Sequence, residues 1–181
     1  MGAELLTGFD CRVCGLHHAV LPLSFSVKYP LAAGAVPKDE VDRRVVITPD
    51  LCVIDERFHY VRGRFAIPIH GLEEPFIWGC WVRISPQDFF KTNQMWSDPA
   101  RVDEPPFEGV LNSELPLYGD TRNLRVKVVA MPVGRRPHFF PVDEDHPIAM
   151  EIREGISMER VLEIVELMLH RESESASQLV S

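Results

Sequence analysis

The chain has 181 residues, 45% of them apolar, enough for one globular domain with a sizeable core. Its formal net charge of −8 repels phosphate backbones and anionic lipid, which disfavours generic nucleic-acid and membrane-surface binding. The opening residues lack the basic and apolar regions of a signal peptide, and no run of about 18 apolar residues follows, so a cytoplasmic protein is expected.

Near the start, CRVCGLHH (11–18) packs two cysteines, a glycine and two histidines into eight residues. In a reducing compartment, a Cys-x-x-Cys pair reads as metal-binding or redox chemistry rather than half of a disulfide framework. A tight turn at this spacing directs two thiolates at one ion, and Gly15 suits the turn. A tetrahedral zinc site needs two more ligands, and the candidates are His17 or His18, Cys52, and His146. A zinc knuckle is excluded by counting, because only three residues separate Cys14 from His18. A redox dithiol is disfavoured because no βαβ context surrounds the pair.

Fifteen prolines break the chain into short elements. The segment 36–45 suits a short helix, with Pro37 near its start and Asp39 and Glu40 in the first turn. From Leu51 the pattern changes to strands: LCVID, RFHYVRGRFAIPIH and PFIWGCWVRI form a predicted antiparallel meander. The last is apolar on both faces, as in a central covered strand, and Cys80 within it reads as a small buried hydrophobe. A helix follows over 85–96, with Ser85 as N-cap, Pro86 at the first helical position and Asp88 three residues after the cap. After a Pro-rich acidic loop come three more predicted strands, FEGVLNS, NLRVKVVAMP and PHFFPV; in the second, Leu124, Val126 and Val128 face one way and Arg125, Lys127 and Val129 the other.

FFPVDEDHPIA (139–149) gathers Asp143, Asp145 and His146, a possible acid-base or ligand cluster. Asp145 reads more simply as the cap of a short helix, which leaves His146 open as a fourth zinc ligand. Ser157 caps the last helix, with Ile156 and Val161 placed as a hydrophobic staple and an apolar face running to Leu169. Residues 171–181 have little apolar content and are expected to form a disordered tail behind a single domain over 1–170. Arg62 and Arg64, with Arg135 and Arg136, suggest an anion-recognising surface, although pairing with the many acids is the commoner fate of such arginines.

In order along the chain, CRVCGLHH, DLCVID, FHYVRGRFAIPI, FIWGCWVRIS, RRPHFF, DHPIAMEIREGIS and ERVLEIVE resemble the bacterial family known as domain of unknown function 2199 (DUF2199). The resemblance implies a shared fold and a metal site onto which His18, Cys52 and His146 map, and it implies no activity. Cys80 departs from the family pattern and is not carried into the site.

The expected fold is α+β: one domain with a mostly antiparallel sheet, flanking helices and an N-terminal zinc-bound turn resembling a knuckle. The expected metal ligands are Cys11, Cys14, Cys52 and His18, with His146 as the alternative fourth, around a structural zinc ion. No phosphate loop, nucleophile elbow or His-Glu-x-x-His helix is present. The expected function is therefore a binding or regulatory module, with an unidentified protein as partner. The alternatives are a zinc hydrolase using an open coordination position, with Asp143 or His146 as base, and an acidic antidote that neutralises a basic partner.

Overall fold

The computed structural model describes residues 7–177. An N-terminal antiparallel hairpin of β1 (Thr7–Asp10) and β2 (His17–Val20) is followed by β3 (Ser24–Ser26). Two one-turn helices, α1 (Leu31–Gly34) and α2 (Val41–Arg44), lead into β4 (Val45–Ile47), β5 (Leu51–Ile54), β6 (Phe58–Ile67) and β7 (Phe76–Ile84). Then come α3 (Pro86–Gln94), a 3-10 turn at Pro99–Asp103, β8 (Phe107–Leu111), β9 (Arg125–Val129) and β10 (His138–Pro141). The chain continues through α4 (Pro147–Glu154) and α5 (Met158–Ser177).

The strand predictions from Leu51 onward hold, and the pairings β4–β5–β6–β7–β8–β9–β10 are antiparallel between successive strands. The expectation of a mostly antiparallel sheet is met only in part, because β10 returns to pair in parallel with β6, closing β6 to β10 into a barrel. A second parallel pairing adds β3 to β7, while β4 and β5 extend from β6. Closure needs places where one strand lies on another without a Cβ between them. At Gly63 an added Cβ would lie 2.3 Å from the Phe139 ring of β10 and 2.7 Å from the Pro137 carbonyl. At Gly109 it would lie 2.3 Å from Val82. These glycines had no role in the reading of alternation along single strands.

Inside the barrel, Val61, Phe65, Ile67, Trp78, Cys80, Val82, Val126, Val128 and Phe139 belong to one buried cluster. Val161, Ile164 and Val165 of α5 and Ile148 of α4 join the same cluster. The apolar faces read from sequence on β9 and α5 are therefore the ones buried. A smaller cluster on the other side of β5 to β7 holds Val36, Cys52, Ile54, Tyr60 and Trp81. Both tryptophans of β7 are thus core residues, one in each cluster, as its two-sided apolarity predicted.

The helix starts follow their chemistry. Ser85 Oγ accepts the Asp88 N–H at 3.0 Å and donates to its carboxylate, with Pro86 next in line. Ser157 Oγ accepts the Arg160 N–H at 3.2 Å at the start of α5, and Ile156 and Val161 are both buried. At α4 the cap is His146, not Asp145: its Nδ1 accepts the Ile148 N–H at 3.3 Å. The helix expected over 36–45 shortens to α2, since Pro37 to Glu40 form only a turn. In contrast, α5 runs past the expected end at His170 to Ser177, and residues 178–181 lie outside those described.

Candidate metal centre

The β1–β2 hairpin carries the octapeptide, with residues 11–16 as its loop and His17 and His18 at the start of β2. Antiparallel register sets Phe9 opposite His18 and Asp10 opposite His17. Between them, the Cys11 N–H donates to the Leu16 carbonyl at 3.0 Å and the Gly15 N–H to the Cys11 carbonyl at 2.9 Å. Gly15 has φ +71°, a left-handed conformation that glycine adopts without a Cβ penalty. The loop therefore folds the two thiols toward one side.

Strand alternation separates the two histidines. His18 stacks on Phe9, ring centroids 4.9 Å apart, and its Nε2 lies 3.5 Å from Cys14 Sγ. His17 faces the other way, its Nδ1 2.8 Å from an Asp10 carboxylate oxygen in the open. The hairpin register thus sets His18, and not His17, beside Cys14.

The fourth donor comes from the far end of the chain. His170 of α5 brings Nε2 to 3.2 Å from Cys11 Sγ. Donor atoms of Cys11, Cys14, His18 and His170 all lie within 4.8 Å of one another. In a tetrahedral zinc site, bond lengths of about 2.3 Å to sulfur and 2.0–2.1 Å to nitrogen imply sulfur-to-nitrogen separations of roughly 3.6 Å. The two measured sulfur-to-nitrogen distances fall close to that value, so this Cys2His2 set fits a zinc ion with little movement.

Glu166 holds the two halves in place. One helical turn before His170, it shares that residue's face of α5. Its carboxylate accepts the backbone N–H of Arg12 at 2.7 Å and the Arg12 guanidinium at 3.0 Å. The carboxylate is almost wholly buried, so the bond to the loop backbone is a fixed anchor rather than a surface ion pair. Electrostatics at Cys11 favour a thiolate. Burial opposes it, but the Cys14 N–H, the His170 ring and the Val13 N–H outweigh burial and bring the thiol from 9.0 down to about 6.

The expected ligands Cys52 and His146 lie elsewhere. Cys52, on β5, is fully buried in the smaller apolar cluster beside Tyr60 and Trp81, and burial pushes its thiol up to about 11. His146 is engaged as the α4 cap. Strand β5 points Cys52 into the core, where sequence could place it only at a strand end. Cys80 sits fully buried on β7 and its thiol is pushed far up by burial, as expected of a small hydrophobe. His170 was missed because it looked like the helix end; the signal for it was Glu166-x-x-x-His170, one helical turn apart on the amphipathic helix.

Among known proteins, the model of a family described as an uncharacterized protein conserved in bacteria (DUF2199) matches residues 10–156. No curated protein and no solved structure matches the chain. The matched span contains Cys11, Cys14 and His18 but ends before Glu166 and His170.

Proposed function

Because the chain belongs to the DUF2199 family, which brings no activity with it, we propose a function from its own donor cluster: a zinc-stabilised binding or regulatory module. Cys11, Cys14, His18 and His170 hold one zinc ion that ties the N-terminal hairpin to the C-terminal helix. The observation that carries this reading is the convergence of four soft or borderline donors, within 4.8 Å, from a loop, a strand and a helix distant in sequence. Four protein donors complete a tetrahedral shell, the arrangement of structural rather than catalytic zinc, which keeps a position for water. The hydrolase alternative loses its support on the same ground, and its expected base His146 is occupied in capping α4.

Metal analysis of the purified full-length protein tests the reading. One zinc per chain is expected, lost in Cys14→Ser and in His170→Ala and retained in His17→Ala. Zinc at a thousandfold excess over its dissociation constant adds about 4 kcal/mol to stability, so a chelator should lower the melting temperature markedly. A metal-free wild type that refuses added zinc, or a His170→Ala variant that binds it as tightly, overturns the assignment.

A further inference from the structure

A basic cleft shares no residue with the zinc cluster. It has a volume of about 940 Å³ and lies over the outer face of β6 and β7, where Arg64 pairs with Gly79 and Ala66 with Ile77. Its floor is small and its rim is basic: Arg64, Arg101, Arg135 and Arg136 line it, with His138 and Trp96 between them. Among the described residues, the carboxylates in the lining are Asp50 and Glu74. In a chain of net charge −8, four guanidinium groups around one cleft are not a solvated average of the surface.

Among the described residues, only one of these four arginines forms an ion pair with a carboxylate. Arg136 has Asp50 at 2.6 Å. Arg64 instead donates through Nε to His138 Nε2 at 3.0 Å, so that ring nitrogen carries no proton. Arg101 is only 4% exposed and meets no carboxylate among the described residues; it lies over the Trp96 ring and donates to the Trp96 carbonyl at 2.7 Å and to the Arg135 carbonyl at 3.5 Å. Arg135 makes no side-chain hydrogen bond or ion pair among the described residues. On the same face of β6, Arg62 has a buried Nε with no partner among the described residues, while its Nη1 donates to the Pro49 carbonyl at 3.4 Å. Burial first, then Arg135 and Arg136, lowers the affinity of Arg64 for its proton; burial, then Arg64 and Arg135, does the same at His138. Both shifts come first from burial and then from the neighbouring guanidinium charges, and at Arg62 and Arg101 Asp50 offsets the lowering only in part.

Burying charged groups without counter-charges costs stability unless a ligand supplies the missing charge. Guanidinium forks match the planar edges of carboxylate and phosphate oxygens. We propose that this cleft binds a small organic anion, carrying phosphate or carboxylate groups, on Arg64, Arg101 and Arg135. The volume suits a metabolite-sized ligand rather than a single inorganic ion. Asp50 holds Arg136 at the edge of the site, and the glycine and alanine of the floor leave room for the ligand to approach the sheet.

Calorimetric titration of the zinc-loaded full chain at low ionic strength, with pyrophosphate and separately with citrate, tests the proposal. Saturable one-to-one binding of at least one anion is expected. Tighter pyrophosphate points to a phosphorylated ligand, and tighter citrate to a polycarboxylate. Arg135→Gln, which removes an exposed side chain with no internal partner, should weaken that binding about tenfold, the loss of one charge-assisted hydrogen bond. Arg64→Gln/Arg135→Gln should abolish it. Arg125→Gln, which removes the same charge from a Glu108 pair outside the cleft, should leave it unchanged. Absence of saturable binding by either anion overturns the proposal, as does equal weakening by Arg125→Gln and Arg135→Gln. None of these outcomes depends on which residues hold zinc.

Discussion

Replacing Glu166 by Gln isolates the anchor between hairpin and helix. The substitution keeps the shape and one oxygen to accept the Arg12 N–H, now as a neutral bond, but it puts an amide NH2, a donor, where Oε2 accepts both guanidinium contacts at 3.0 Å, so those two are lost. Arg12 is more than half exposed, so its ion pair contributes no more than about 1 kcal/mol. Weakening the 2.7 Å bond from the loop N–H to the buried carboxylate adds roughly 1 kcal/mol. The total is about 1–2 kcal/mol, which for a chain of this size is a fall of roughly 2–8 °C in melting temperature.

Glu166 touches no donor atom, yet it sets the loop carrying Cys11 against the helix carrying His170. Zinc affinity should therefore drop about tenfold, the lower end for a group supporting ligands from behind, while stoichiometry stays at one. Competition with a chromophoric chelator gives the affinity, and thermal melts of metal-free and loaded protein give the stability. A double-mutant cycle with Arg12→Ala should show a coupling of about 0.5–1 kcal/mol in the metal-free chain. Unchanged zinc affinity in Glu166→Gln, or no coupling to Arg12, would refute the idea that this carboxylate holds the site together.

Three further outcomes follow from the geometry. Cys52→Ser should keep its full zinc content but lose about 1–3 kcal/mol in urea unfolding, because it buries a hydroxyl in the cluster around Tyr60 and Trp81; loss of metal instead would return Cys52 to the ligand set. Gly63→Ala should cost about 2 kcal/mol or more, since its Cβ meets both the Phe139 ring and the rigid Pro137 carbonyl, and near-native denaturation midpoints would show that barrel closure does not need this glycine. In the metal-free protein, ultraviolet absorbance should show one thiolate forming near pH 6. A folded value lowered from 9.0 means that this thiol contributes stability in full above pH 9 and that the contribution is lost as pH falls through about 6; a Cys11→Ser variant that retains the low titration would disprove the assignment.

What was legible in the sequence was whatever depends on near neighbours. The caps at Ser85 and Ser157, the alternation of β9, the two-sided β7 and the Cys-x-x-Cys turn all follow from residues within one or two turns of each other. Local rules therefore sufficed for most strands, for the amphipathic last helix and for the three donors of the hairpin in the candidate metal centre. Pairing of β10 with β6, by contrast, depends on Gly63 meeting Phe139, two residues far apart in the chain whose contact no periodicity encodes. The fate of each cysteine was decided in the same way. Cys11 and Cys52 look alike as potential zinc ligands in a string of letters, but β5 turns Cys52 into an apolar core while the hairpin carries Cys11 to His170. A metal site or an arginine cleft is a coincidence of directions in space. Composition and spacing supplied the donors, and only the closed barrel and the helix packed against it decided which of them face one another.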